Sequence, residues 1–341
     1  MNIKILTFTR FVTAILIVAF HYGRLSFPFN LKEIFPILMQ MNITMSYFFV
    51  LSGFVLIIAY YNKEITLFQF FKNRFARIYP TFIFIALLVL IASWFKKLTV
   101  DFFLVISLIH AWIPGKGTAF NVHSWTVSVE VFFYLLFPFL IYVYKKYKLN
   151  SVAFSILTFW LISQIIFYLV ITRKINLPYY NSSDIFYLPI FHLNEFLIGN
   201  LTGLVFLNKF SYYKNNNGLK IFSLLLLLLI LLYFDFGRYS NNGLFAIIFA
   251  VLIILLSTST DKITEFFSKK LFVVLGHLTY GLYLYQYPIG VFLNNERLNV
   301  LFKQDLGLTI PFYIKLTTLI IVSFFSYFLI EKPARNYILK K

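Results

Sequence analysis

Cysteine is absent from the 341 residues, which excludes a disulfide staple, a thiolate metal site and a cysteine-thioester intermediate. Any acyl chemistry has to use other groups. Acidic residues are scarce as well, 12 Asp and Glu against 30 Lys and Arg, for a formal net charge of +18. In a soluble chain that excess points to nucleic acid. Here 60% of residues are hydrophobic and 21% aromatic, where a soluble domain is roughly 45–50% apolar, and the mean hydropathy is +0.82. This is the composition of an integral membrane protein, so the basic residues are read by where they fall between spans, and no nucleic-acid partner is expected. No stretch is left over for a soluble domain and there is no internal repeat. No small-residue cleavage site follows Phe20, so the first apolar run is expected to be a retained helix.

Crossing a hydrocarbon core of ~30 Å takes about 20 mostly apolar residues. Such windows predict ten spans, near 5–23, 36–60, 79–95, 125–144, 151–171, 185–207, 219–236, 241–258, 271–293 and 309–330. The apolar piece 101–113 is too short to cross and ends in Trp112, Pro114 and Gly115, so it fits an interfacial or re-entrant element. With the N-terminus in the cytoplasm, 18 basic residues fall on inner segments and 11 on outer ones, including Lys96 and Lys97. That bias favours both termini inside. The expected fold is therefore all-α and membrane-embedded, a single domain over 1–341. About ten helices surround a polar cavity in the cell inner (plasma) membrane, with the seventh and eighth serving mostly as scaffold.

Ionisable residues within spans are costly, about +2.5–3.5 kcal/mol for a central Arg or Asp, so they usually face a cavity. The set here is Arg10, His21, Glu130, His192 and Glu195. Arg10 and His21 are eleven residues apart, close to three helical turns, so both project from one face about 16 Å apart along the axis. Arg10 could snorkel to one interface and His21 to the other. Alternatively His21 is a general base near the outer surface, since a neutral imidazole accepts a hydroxyl proton at ordinary pH. In "NVHSWTVSVEVFFYLLFP", His123 and Trp125 sit at the outer mouth of the fourth span, with Glu130 further in. A carboxylate there could orient the His21 imidazole, or pair with Arg10 or another helix.

"FFKNRFARIYP" gathers Lys72, Arg74 and Arg77 at the cytoplasmic start of the third span. Arginines three apart can form one anion site, although exposed basic runs often serve topology or meet membrane lipid. Gly53 and Gly199 stand among bulky neighbours, where small residues let membrane helices approach closely. "GHLTYGLYLYQYPI" spaces Tyr280, Tyr283 and Gln286 by three, with Pro288 and Gly290 placed to kink or end the turn. Glu331, Lys332 and Arg335 follow the last span as a cytoplasmic stop.

In this order the motifs resemble those of the membrane acyltransferase type 3 family. The likeness runs nearly end to end: Arg10 followed by His21, "FFVLSGF" at 48–54, "RFARIYP" at 74–80, "HSWTVSVEVFFY" at 123–134, "EFLIGN" at 195–200, "LTYGLYLYQYPI" at 278–289 and "IEKPAR" at 330–335. The resemblance implies transfer of an acyl group, most often acetyl from cytoplasmic acetyl-CoA, onto a hydroxyl of a cell-surface or exported carbohydrate such as an exopolysaccharide, with no metal. Arg10, His21 and Glu130 then map to the catalytic positions, and Arg74 and Arg77, with Lys72 beside them, to the CoA-phosphate site. His123, Trp125, Glu195, Tyr283 and Gln286 are candidate acceptor contacts. Many relatives carry His where this chain has Gln286, so hydrogen bonding to the acceptor is the role expected there. No appended SGNH-type hydrolase domain is expected, which favours transfer completed within the membrane module. The alternative from a different class is a transporter or flippase for a glycan intermediate, for which intramembrane polar residues would line a path.

Overall fold

The structure is a computed structural model describing residues 3–64, 66–92, 99–181, 183–234 and 236–340. Among the described residues every regular element is helical, as lipid requires of a chain whose backbone polar groups must be satisfied within each segment. Seven helical stretches among them are long and apolar enough to cross a membrane, within 3–22, 41–60, 67–92, 125–146, 149–171, 189–210 and 309–340. The other three expected spans coincide with shorter apolar helices at 218–233, 246–258 and 270–284. The end of the third expected span, with Lys96 and Lys97, lies outside the described residues.

The helices that matter for the site are α1 (Ile3–Tyr22), α2 (Thr44–Tyr60), α3 (Leu67–Ala92), α4 (Trp125–Lys146), α5 (Leu149–Ile171) and α6 (Leu193–Val205). They are followed by α7 (Gly218–Tyr233), α8 (Ala246–Thr258), α9 (Lys270–His277), α10 (Thr279–Leu284), α11 (Thr309–Ser326) and α12 (Lys332–Lys340). Helix α3 begins twelve residues before the expected span at 79, so Arg74 and Arg77 stand within a continuous helix and not at its start. The piece around 101–113 forms a helix of only seven residues, Val100–Ile106, and a single turn at His110–Trp112, too short to cross. The stretch with Pro288 and Gly290 breaks into α9, α10 and a further short helix, Gln286–Phe292.

Close packing follows the small residues. A Cβ on Gly199 would lie 2.0 Å from the Val50 carbonyl oxygen, and one on Gly53 would lie 2.3 Å from that of Phe196. Helices α2 and α6 therefore cross backbone to backbone, as the two glycines predict. Phe49, Phe133 and Phe196 fill the space beside that crossing, with the Phe133 and Phe196 rings stacked at 4.4 Å. Helices α5 and α7 turn large side chains outward, such as Phe154 and Leu219, the faces expected to meet acyl chains.

Candidate active site

Two chambers open at opposite ends of α1. The first, about 660 Å³, is lined by Arg10 of α1, Arg74 and Arg77 of α3, Glu130 of α4, and Glu331 and Arg335 at the start of and within the last helical arm. Ser52, Asn73, His277 and Tyr280 also line it. Four arginines thus share one hollow with two carboxylates. Arg10 and Arg77 feel both Glu130 and Glu331, yet among the described residues none of the four arginines makes a salt bridge. Arg74 is held flat by aromatic rings instead, its guanidinium carbon 5.6 Å from the centroids of both Tyr60 and Tyr134, a cation–π cradle. Its Nε is buried with no partner. Arginines fixed in place but not neutralised are suited to several phosphate oxygens at once.

The second chamber, about 390 Å³, is lined by His21 and Arg24 at the far end of α1, His123 and Trp125 at the start of α4, His192 before α6, and Tyr283 of α10. The His21 and His123 rings meet edge to face at 4.7 Å, and His123 meets Tyr283 at 5.1 Å. His123 is 3% exposed and neither of its ring nitrogens has a hydrogen-bond partner.

Four helices reach both chambers: α1 with Arg10 and His21, α2 with Ser52 and Met45, α4 with Glu130 and Trp125, and α10 with Tyr280 and Tyr283. The mouths of the two hollows are thus held in register by single rigid elements. Arg10 and His21 each line a chamber, but two different ones, where a single polar cavity seen by both was expected. Glu130 lines the chamber of Arg10 and Arg77 and not that of His21. This sets it apart from the imidazole it was expected to orient and on the side of the arginines, although among the described residues it makes no direct ion pair with them.

Other candidates fall elsewhere. Lys72 lies on α3 but lines neither chamber, and the same holds for Gln286, which is fully buried with both side-chain polar atoms unpartnered. Glu195 is fully buried behind the second chamber. One of its carboxylate oxygens accepts from the Ser46 hydroxyl and the other lies 2.9 Å from His192 Nδ1. His192 Nε2 donates to the Phe186 carbonyl at 2.9 Å, and the imidazole rests 5.2 Å from the Trp125 ring. Glu195 thereby fixes the histidine against which the tryptophan packs. Ser124, a candidate nucleophile by residue type, is buried 2.7 Å from the Asn121 carbonyl and 2.9 Å from His110 Nε2, and it lines neither chamber. Among the described residues no three His, Asp or Glu side chains converge as a metal site.

Sequence reading passed over Arg24, His110, His277 and the site role of Glu331 and Arg335. The last two were legible only as a charged stop after the final span, although "IEKPAR" as a motif marked the place. Arg24 stands three residues after His21, which was its one signal.

Residues 3–330 match the family described as Acyltransferase domain. The O-acetyltransferase OatA of Staphylococcus aureus is 27% identical over 325 residues, covering 85% of this chain and 52% of OatA. An uncharacterized protein of Haemophilus influenzae is 31% identical over 212 residues, 54% of this chain and 84% of that protein. Acyltransferase MdmB of Streptomyces mycarofaciens is 34% identical over 111 residues, 28% of this chain and 27% of that enzyme. The chain spans about half the length of OatA. No solved structure matches.

Proposed function

Because the chain belongs to the Acyltransferase domain family, we propose that it is a membrane O-acyltransferase that moves an acetyl group from acetyl-CoA to a hydroxyl of a surface or exported carbohydrate. The observation that carries this reading is the pair of opposed chambers joined by α1, one holding unpaired arginines and the other imidazoles and aromatic rings. With both termini cytoplasmic, the arginine chamber faces the compartment that holds CoA thioesters and the imidazole chamber faces outward across the plasma membrane. Arg74, Arg77 and Arg335 would hold the donor's phosphates, and its thiol arm would run toward His21.

His21 takes the proton of the acceptor hydroxyl as its oxygen attacks the thioester carbon. The new C–O bond replaces the C–S bond, the sulfur leaves with the electron pair, and the imidazolium returns the proton to the thiolate. The products are an acetyl ester and a free thiol. Arg10 and Glu130, facing one another across the inner chamber, order the donor side. Transfer is direct. Ser52 is the serine that lines the donor chamber, and a relay through it would add an acyl-enzyme.

His21→Ala should abolish gene-dependent O-acetyl ester on surface carbohydrate, read by mass spectrometry, while the protein stays in the membrane at normal level. Retained ester rejects His21 as the base. A transporter of a glycan intermediate predicts no donor turnover at all. Release of CoA thiol by the purified protein in the presence of acceptor separates the two classes.

A further inference from the structure

We infer that the acceptor is an anionic sugar, with a carboxylate or phosphate close to the reacting hydroxyl, and that Arg24 binds that oxyanion. This rests on the transferase reading above and goes on to name the kind of carbohydrate. Arg24, His21, His123 and His192 line the outer chamber together with Trp125 and Tyr283, and among the described residues no Asp or Glu lines it. The donor chamber, by contrast, carries Glu130 and Glu331 among its arginines.

Arg24 is anchored for the task. Its Nε donates to the Phe20 carbonyl at 2.6 Å, and its guanidinium carbon lies 4.3 Å from the centroid of the Phe20 ring. Those two contacts fix the plane of the group and spend one of its donors. Among the described residues the terminal Nη1 and Nη2 have no hydrogen bond and no salt-bridge partner. A guanidinium fork that is pre-oriented, half-buried and unpaired matches two oxygens of a carboxylate or phosphate.

A second observation points to a ligand at the same place. His123 lines this chamber, is nearly buried, and leaves both ring nitrogens without a partner. A buried polar group left unpaired costs roughly 1–3 kcal/mol, so the site is incomplete until a donor and an acceptor enter, and a sugar hydroxyl supplies both.

The test uses surface and secreted saccharide from cells with and without the gene, separated by anion exchange before ester-linked acetate is measured. The expected result is gene-dependent acetate in the retained, anionic fraction. Carboxyl reduction and dephosphorylation of that fraction, each followed by re-chromatography, tell a carboxylate from a phosphate. Complementation with Arg24→Gln should lower the retained-fraction acetate at least tenfold at equal membrane level, and Arg24→Lys should restore part of it. Gene-dependent acetate confined to the neutral fraction overturns the inference while leaving the transferase reading intact, and so does full complementation by Arg24→Gln. Absence of gene-dependent ester from both fractions overturns the transferase reading and this inference with it.

Discussion

Single side chains divide into those that meet a chamber and those that hold the ones that do. Arg77 belongs to the first kind. A hydrogen bond to a charged group contributes about 1.5–3 kcal/mol, so Arg77→Gln should raise the KM for acetyl-CoA roughly tenfold or more and leave the acceptor KM unchanged in steady-state assays. Glu195 belongs to the second. Glu195→Ala strands His192 Nδ1 and the Ser46 hydroxyl in a dry interior, and removing one partner of a buried pair costs about 3–5 kcal/mol. The expected outcome is a large fall in the thermal midpoint in detergent, where Arg77→Gln shows little change. At this scale the sequence was informative about which residues are costly to place in lipid and uninformative about whom they meet. Arg10 and His21 were legible as one helical face because periodicity is local. The partner of Glu130 was not, because choosing between His21 and Arg10 depends on how α4 rotates against α1, and no spacing within one helix records that. Trp125 and His123 could be assigned to one mouth, but their link to Glu195 runs through His192 on another element, seventy residues away in the chain.

Among the elements, the crossing of α2 and α6 is set by two glycines whose absent side chains leave room for a facing carbonyl. Gly199→Leu has to push those backbones apart, and the expected outcome is loss of folded, monodisperse protein on size-exclusion chromatography, whatever the substrate. The turn between α8 and α9 is held differently. Asp261 caps the short helix Lys262–Phe267, accepting from the Thr264 N–H at 2.9 Å and from the Thr264 hydroxyl at 2.6 Å. Burial pushes its carboxyl upward, but the hydrogen bonds from Ser259 and Thr264 outweigh this and hold it below the ordinary carboxylate value. A group whose folded value is depressed stabilises the fold at neutral pH and loses that contribution as pH falls through the folded value. Asp261→Ala should therefore cost about 1 kcal/mol near pH 7, with the gap from the parent protein closing in acid when melts are compared across pH. Most helices were legible from long apolar runs. The early start of α3 was not, since Lys72, Arg74 and Arg77 interrupt the hydropathy while leaving helix propensity intact. The breaks after α9 and α10 were not: they fall at Leu278 and Tyr285, whereas Pro288 and Gly290, where a kink was expected, lie inside the next short helix.

At the scale of the whole molecule, the lack of cysteine becomes an experimental asset, since one introduced thiol is the only thiol present. Val122→Cys beside the imidazole chamber should react with an impermeant maleimide in intact cells, and Leu339→Cys beside the arginine chamber only after the membrane is opened. The opposite pattern would invert the orientation inferred from basic-residue placement. Composition made the membrane class plain and a polar cavity was expected, but the division into two hollows was not legible, because each is assembled from at least five elements far apart in sequence. Helix α1, continuous from Ile3 to Tyr22, links them with a fixed separation of about 16 Å between Arg10 and His21. On the proposed transferase reading an unbroken rod of that kind acts as a gauge on the donor: whatever delivers the acyl group must carry its anionic anchor and its reactive carbonyl at a comparable remove. Acetyl phosphate, where the two are directly bonded, is too short to engage both ends and should not serve as donor at any concentration, whereas a thioester on a long flexible stem fits the gauge.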